Sequence, residues 1–172
     1  MAVSHTTRKA RKGEVDGQHY HFVSVDSFLA DIDKNLFLEY AEVFGNYYGT
    51  SKTSAETLLK KGVDVILEID WQGAQQVRKL MPDAISIFIL PPSKQELERR
   101  LRGRGTDSDK VIAKRLGQSC DDIQHYDEFD YIVINDDFDD AVEQLASIFY
   151  ANRLRLEKQQ QKHQVVLKEL TS

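Results

Sequence analysis

The chain has 172 residues, 41% of them hydrophobic, with 23 basic and 28 acidic side chains and a net charge of −5. That is enough apolar content for one compact domain, perhaps one with a small inserted lobe. It offers too little positive charge for the counterion-displacing surface of a non-specific nucleic-acid binder, and no apolar run nears the ~18 residues of a membrane span. The single cysteine, Cys120, excludes an intramolecular disulfide framework and reads as an inert thiol on a helix. No apolar signal segment follows the first methionine, so the cytoplasm is the expected compartment.

Residues 20–24 alternate apolar and polar and predict a short strand. Asp26 is placed to cap a brief helix to Lys34, and residues 37–44 predict a second strand with a turn at Gly45-Asn46. Ser51 or Thr53 can cap a helix that ends at Gly62. Residues 63–69, 84–90 and 131–135 are short, β-branched and nearly continuous, the pattern of strands buried on both faces of a parallel sheet. Helices are expected over 71–81, from Ser93 to Gly103 with Ser93 and Glu96 as a capping box, over 109–125, and from Asp139 onward. Beyond Glu157 that last helix turns polar and is expected to project or fray. Buried strands alternating with helices imply an α/β fold with helices on both faces of the sheet.

Three segments carry chemistry. Residues 6–23 spell T-T-R-x-x-R-x-x-E-x-x-G-x-x-Y-x-F-V. Arg8 and Arg11 can grip phosphate through paired N–H groups that stay charged at any working pH, and the Tyr20 hydroxyl can donate to the same anion. Alone, the two arginines read equally as a solvated basic stretch. In Phe37-Leu38-Glu39-Tyr40-Ala41-Glu42-Val43-Phe44-Gly45-Asn46-Tyr47-Tyr48-Gly49-Thr50, Glu39 falls on a strand with apolar neighbours on the other face. A carboxylate there can accept from the ring N–H and the exocyclic amine of guanine, an edge adenine lacks. An exposed strand glutamate before a hairpin is the plainer alternative. Glu68-Ile69-Asp70-Trp71-Gln72-Gly73 sits at the carboxyl end of an expected parallel strand, where ligands bind in open α/β sheets, and Asp70 also suits a helix N-cap.

Arg99, Arg100, Arg102 and Arg104 crowd one helix, and Arg115 follows on the next. Cationic clamps of this kind position and neutralise a moving phosphoryl group, and the flanking Gly103, Gly105 and polar 106–109 suit a lid. The same arginines can simply pair with Glu96 and Glu98 on a solvated face. Asn135 ends the last strand. A metal site from Asp136, Asp137, Asp139 and Asp140 is a weaker idea, since acidic residues suit a helix start anyway, and no metal ligands are assigned.

These segments together resemble the bacterial guanylate kinases, over essentially the whole chain from Val3. The resemblance implies a P-loop-kinase-like parallel sheet with helices on both faces, an inserted small mixed α/β GMP-binding lobe and a helical lid. Its boundaries would be 1–4, 62–92 and 126–172 for the core, 5–61 for the lobe and 93–125 for the lid. It implies ATP-dependent phosphorylation of GMP to GDP with Mg²⁺. Arg8, Arg11, Tyr20 and Tyr48 would hold the GMP phosphate, and Ser4, Glu39, Thr50 and Asp70 would read guanine. Arg100, Arg104 and Arg115 would clamp ATP phosphates, with Arg8 among the catalytic arginines, and Asn135 would touch adenine. At Ala10 the family often has proline. No G-x-x-x-x-G-K-[ST] phosphate loop occurs within the 172 residues. The first strand, loop and helix of the pattern are therefore expected to be absent, turnover by this chain is expected to be weak or nil, and self-association through an exposed sheet edge, a local rearrangement that fills the gap, or marginal stability is expected. GMP and ATP are the expected partners, with neither nucleic acid nor membrane. The alternative is a catalytically inactive guanylate-kinase-like module that binds GMP or a phosphopeptide.

Overall fold

The computed structural model describes residues 2–103, 105 and 108–172. The chain forms two compact units, Met1–Ile85 and Ser86–Ser172.

The first unit is built on a four-stranded mixed sheet. Its strands are β1 (His5–Thr6), β2 (His21–Phe22), β3 (Phe37–Val43) and β4 (Asn46–Ser51), in the order β2-β1-β4-β3. β1 runs parallel to β2 and antiparallel to β4, and β4 runs antiparallel to β3. β3 and β4 form a hairpin that closes on Phe44 and Gly45, both at positive φ (53° and 76°). That pair of left-handed residues matches the twist of the flanking strands. The turn therefore sits one residue earlier than Gly45-Asn46, and Asn46 opens β4.

β3 carries a register shift between Phe37 and Glu39. The bulge breaks the period-2 rule, so Leu38 and Glu39 are both buried, at 6% and 3% exposure, while Tyr40 faces outward. Leu38 enters an apolar cluster with Ala55 and Val77, flanked by Val65, Leu67, Ile69 and Met81. Three helices frame the sheet. α1 (Val25–Asp33) is capped by Ser24, whose hydroxyl accepts from Ser27 N at 3.1 Å. Asp26, expected as the cap, lies in the first turn instead, where its charge suits the helix dipole. α2 (Lys52–Lys60) is capped by Ser51 and stops before Gly62 at φ 73°. α3 (Trp71–Leu80) starts at Asp70.

Residues 63–69 correct an expectation. They run without regular strand pairing. Val65, Leu67 and Ile69 turn inward while Val63 and Ile66 stay 48% and 41% exposed. The segment keeps the alternation of a strand on one face only. Apart from the Val63 N–H to Leu58 bond that closes α2, its described backbone bond is the one accepted by Ile66 O from Ala2 N, at 3.2 Å. A ladder needs a run of such partners.

The second unit holds a two-stranded parallel sheet, β5 (Ile87–Leu90) with β6 (Tyr131–Ile134), in register Ile87 to Tyr131 through Leu90 to Ile134. Asp130 fixes the open end, its Oδ2 accepting from Ser86 N at 2.8 Å and Ser86 Oγ at 2.7 Å. Burial on both faces, the other expectation for these strands, is not what the unit shows. Val133 is buried at 2%, but Ile89, Ile132 and Ile134 are about half exposed. α4 (Lys94–Gly103) packs against α5 (Asp109–Ile123), and α6 (Phe138–Arg153) packs on β6. Ser93 accepts from Glu96 N at 3.1 Å, but the Glu96 carboxylate turns to Arg99 and Arg100, so it does not complete the expected capping box. The polar tail folds as two short exposed helices, α7 (Leu156–Lys162) and α8 (Gln164–Thr171).

Candidate functional site

The first unit contains a cavity of about 200 Å³ lined by Ser4, Tyr20, Glu39, Tyr48, Glu68 and Asp70, with Gly49 and Ile69 in its wall. The sequence spreads these residues over 67 positions, and the mixed sheet and the start of α3 bring them together.

Glu39 is the buried acid of this cavity. Burial pushes its carboxyl above the usual carboxylate range. Asp70 adds to the rise, and hydrogen bonds from the Thr50 hydroxyl and backbone oppose it. Thr50 is fully buried, pairs with Glu39 across the hairpin, and its Oγ1 lies 3.3 Å from Ser4 Oγ. Asp70 stands opposite as the α3 N-cap. Its Oδ1 accepts from Gly73 N at 2.9 Å and its Oδ2 from Gln72 Nε2 at 3.0 Å. The N-cap and the cavity-facing readings of Asp70 hold together.

Beside this acidic end stands a cationic one. The Arg8 guanidinium lies over the Tyr20 ring at 5.4 Å and the Phe22 ring at 5.7 Å. Tyr20 and Tyr48 meet edge to face at 6.1 Å. Burial raises the Tyr20 phenol, with the Tyr48 phenol adding to the rise and Arg8 opposing it. Tyr20 is thus a neutral hydroxyl donor at physiological pH. Arg8 spends Nη1 and Nη2 on the two carboxylate oxygens of Glu14, at 2.9 and 2.8 Å, and Nη1 also on Lys9 O at 2.8 Å. The Tyr48 hydroxyl is a further side-chain partner of Arg8, and Glu14 takes the Nη1–Nη2 end of the fork. Glu14, pulled down to about 2 chiefly by its hydrogen bond from Arg8, also accepts from Arg11 N at 2.6 Å. The Arg11 side chain itself is exposed and does not line the cavity.

In the second unit Arg100 reaches across from α4. Its Nε pairs with Glu96 at 2.6 Å, its Nη1 donates to Asn135 O at 2.8 Å and its Nη2 to Asp136 O at 3.3 Å. Arg100 and Asn135, chosen separately from the sequence, are therefore in contact. Arg115 is half-buried on α5, and Arg104 lies outside the described residues. Arg102 pairs with Glu98 and Asp109. Asp137 is the α6 N-cap, accepting from Asp139 N and Asp140 N. Cys120 is half-buried.

Sequence reasoning passed over Glu14 as a partner, Glu68 as a lining residue, and Gly73 and Gln76. The Glu14 signal was available, since a carboxylate six residues after Arg8 stood inside the motif. The other three depend on how α3 docks.

An acid-floored cavity with an arginine stacked on its tyrosine fits the class of nucleoside-monophosphate phosphotransferases. The comparisons narrow that class. A profile of the guanylate kinase family matches residues 1–152. The chain is 58% identical to the guanylate kinases of Escherichia coli (strain K12) and Shigella sonnei (strain Ss046) over 170 residues, 99% of this chain and 82% of each relative. The crystal structure of guanylate kinase from Anaplasma phagocytophilum matches with a TM-score of 0.79 at 35% identity, over 93% of this chain and 82% of that one. The chain belongs to the guanylate kinase family.

Proposed function

We propose how this chain's residues divide the work of its family's reaction, the ATP-dependent phosphorylation of GMP to GDP. The observation that carries the reading is the buried Glu39 carboxylate in a cavity whose rim holds Tyr20, Tyr48 and the Arg8 stacked on Tyr20. Glu39 and Asp70 accept from the donor edge of guanine, and Ser4 and Thr50 hydroxyls complete the polar wall. Guanine N–H groups satisfy a carboxylate that is otherwise buried at a cost. Adenine presents no matching donors and leaves that cost unrelieved.

Arg8, Tyr20 and Tyr48 hold the GMP phosphate, and Arg11, whose side chain is exposed outside the cavity, closes on it as the second arginine of the motif. Glu14 holds Arg8 through Nη1 and Nη2 with the Tyr48 hydroxyl beside it, so the fork is oriented before phosphate arrives. An attacking phosphate oxygen held by two donors loses little freedom on reaching the transition state. Arg100, Arg104 and Arg115 serve the ATP phosphates and the charge that develops on the transferring group, and Asn135 serves adenine. Arg100 is anchored to the carbonyls of Asn135 and Asp136, which ties the cationic group to the end of β6.

Mg²⁺ favours oxygen donors and is usually held by substrate phosphates with one or two carboxylates. Glu68, which lines the cavity beside Asp70, suits that part; the ion would supply charge neutralisation on the phosphates. Residues 5–61 act as the GMP lobe and 93–125 as the lid, with 1–4, 62–92 and 126–172 as core. The setting is cytoplasmic, and no described helix is long and apolar enough to cross a membrane.

Calorimetry with GMP and AMP tests the assignment, together with a coupled assay for ADP formation. The expected result is GMP binding well above AMP binding, with the preference lost in Glu39→Gln. Equal affinities in the unsubstituted chain would overturn it.

A further inference from the structure

We propose that Gly73 and Gln76 are specificity-positioning residues, which seat α3 on β3 so that the Glu39 and Asp70 carboxylates meet the base as one fixed pair. This rests on the base-reading role proposed above for those two acids, and adds what holds them in place.

Gly73 touches both acids. Its N–H donates to Asp70 Oδ1 at 2.9 Å. A Cβ at Gly73 would lie 2.5 Å from Glu39 Oε2 and 3.3 Å from both Glu39 Cδ and Ile69 Cβ. Glycine inside a helix is ~0.5–1 kcal/mol worse than alanine. Gly73 is not among the glycines at positive φ, so backbone freedom does not explain it. Space does: the missing methyl is the room that the Glu39 carboxylate occupies. Glu39 is 3% exposed. Its end can shift, but shifting takes it off the position set by Thr50 and Asp70.

Gln76 lies one turn further along the same face of α3. Its Nε2 donates to Tyr40 O at 2.7 Å and its Oε1 accepts from Tyr40 N at 3.1 Å. The side-chain amide thus clamps both backbone groups of the residue next to Glu39. Gln72 steadies the second acid, donating to Asp70 Oδ2 at 3.0 Å. α3 thus meets β3 at two successive points, Gly73 packed on the Glu39 carboxylate and Gln76 bonded to the Tyr40 backbone. Base discrimination by hydrogen bonds needs atoms held within about 0.5 Å, and selectivity is a difference of two affinities that loose positioning erodes first.

The test measures GMP and AMP affinity by calorimetry on Gly73→Ala, Gln76→Met and Glu39→Gln of the full chain. Gln76→Met keeps the length and deletes both hydrogen bonds, so it decides the matter if Gly73→Ala does not fold. Each positioning variant is expected to weaken GMP about tenfold, a shift of roughly 1.4 kcal/mol, with AMP unchanged. GMP and AMP falling together in Gln76→Met, or an unchanged ratio, would overturn the positioning role. Glu39→Gln separates the two levels. If it abolishes the GMP preference while Gly73→Ala and Gln76→Met keep it, the positioning role alone fails. If it leaves the preference intact, the base-reading role fails and the positioning role falls with it.

Discussion

Arg8 and Glu14 face each other through two parallel hydrogen bonds, Nη1 to Oε2 at 2.9 Å and Nη2 to Oε1 at 2.8 Å, so the arginine proposed for phosphate is already held in one orientation. Glu14→Gln removes the charge and one of the two acceptors. Charge-assisted forks are about twice as strong as neutral ones, so GMP and AMP binding should both weaken, by about five- to tenfold. Loss from GMP alone would contradict this, because phosphate contacts carry no base information. The pair also has a pH signature. The Glu14 carboxyl is held down to about 2, so the stability the pair contributes is complete above the usual carboxylate range and is lost as pH falls from there through about 2. Carbon-13 NMR titration of Glu14 should find that midpoint. A value near the ordinary ~4.3 would mean the fork is open in solution.

Glu39 carries a conflict between stability and recognition. Its carboxyl is raised in the folded chain, chiefly by burial. Stability from such a group is complete below the unfolded pKa and is lost as pH rises through the folded one. Near pH 7, in the absence of GMP, Glu39 therefore weakens the fold. Glu39→Gln should raise the melting temperature of the ligand-free chain by about 2–4 °C for each ~1 kcal/mol recovered. The same variant should lose GMP by roughly ten- to a hundredfold, as charge-assisted bonds of ~1.5–3 kcal/mol go, while AMP binding holds. A lower melting temperature together with retained GMP preference would sink both halves.

His5 lies 4.6 Å from His21 with the rings tilted by 34°, and sits edge-on to Phe37 at 5.5 Å. Burial, and then His21, lowers its pKa, while Asp31 and Asp16 pull it up. A base depressed in the folded state contributes stability above its unfolded pKa, about 6.5, and loses it as pH falls toward the folded value. Urea unfolding at pH 8 and pH 5.5 should show a larger acid loss for the unsubstituted chain than for His5→Gln. Identical losses would free His5 from this role. Glu39 titrates in the opposite sense, so the comparison has to be made between the two chains rather than on one.

Arg100 spends three nitrogens on Glu96, Asn135 O and Asp136 O. A lysine ammonium is a point charge without that fork. Arg100→Lys should therefore lower kcat/KM for ATP nearly as far as Arg100→Ala, by about 10²–10³ if the group also serves the moving phosphoryl. GMP affinity should stay within twofold. Full activity in the lysine variant would show that charge alone suffices at this position.

The parts of the site that the sequence showed are those where one short segment carries both the residue and its reason. The motif around Arg8 and Tyr20, and Glu39 on an amphipathic strand, needed no knowledge of distant neighbours. Asp70 was legible twice, as cap and as cavity residue, and it is both. Ser24 displaced Asp26 as cap because the Ser24 hydroxyl reaches Ser27 N, a difference of two residues that composition does not resolve. Residues 63–69 misled because a β-branched run reports the wish to be buried and not the presence of a partner strand. Gly73 and Gln76 were illegible in principle: a glycine and a glutamine in an ordinary helix acquire meaning only once Glu39 and Tyr40 are brought against them.

The Gln76 clamp has one more consequence, for the company the sheet keeps. β3 is an edge strand of the first unit, and Tyr40 presents its N–H and C=O to the side away from β4. Those are the groups through which a foreign strand would begin to add itself to the sheet. The chain's own side-chain amide occupies them both. The residue next to Glu39 is thereby also the point at which β3 is closed to intruders, so loosening α3 would expose a sticky margin at the mouth of the cavity.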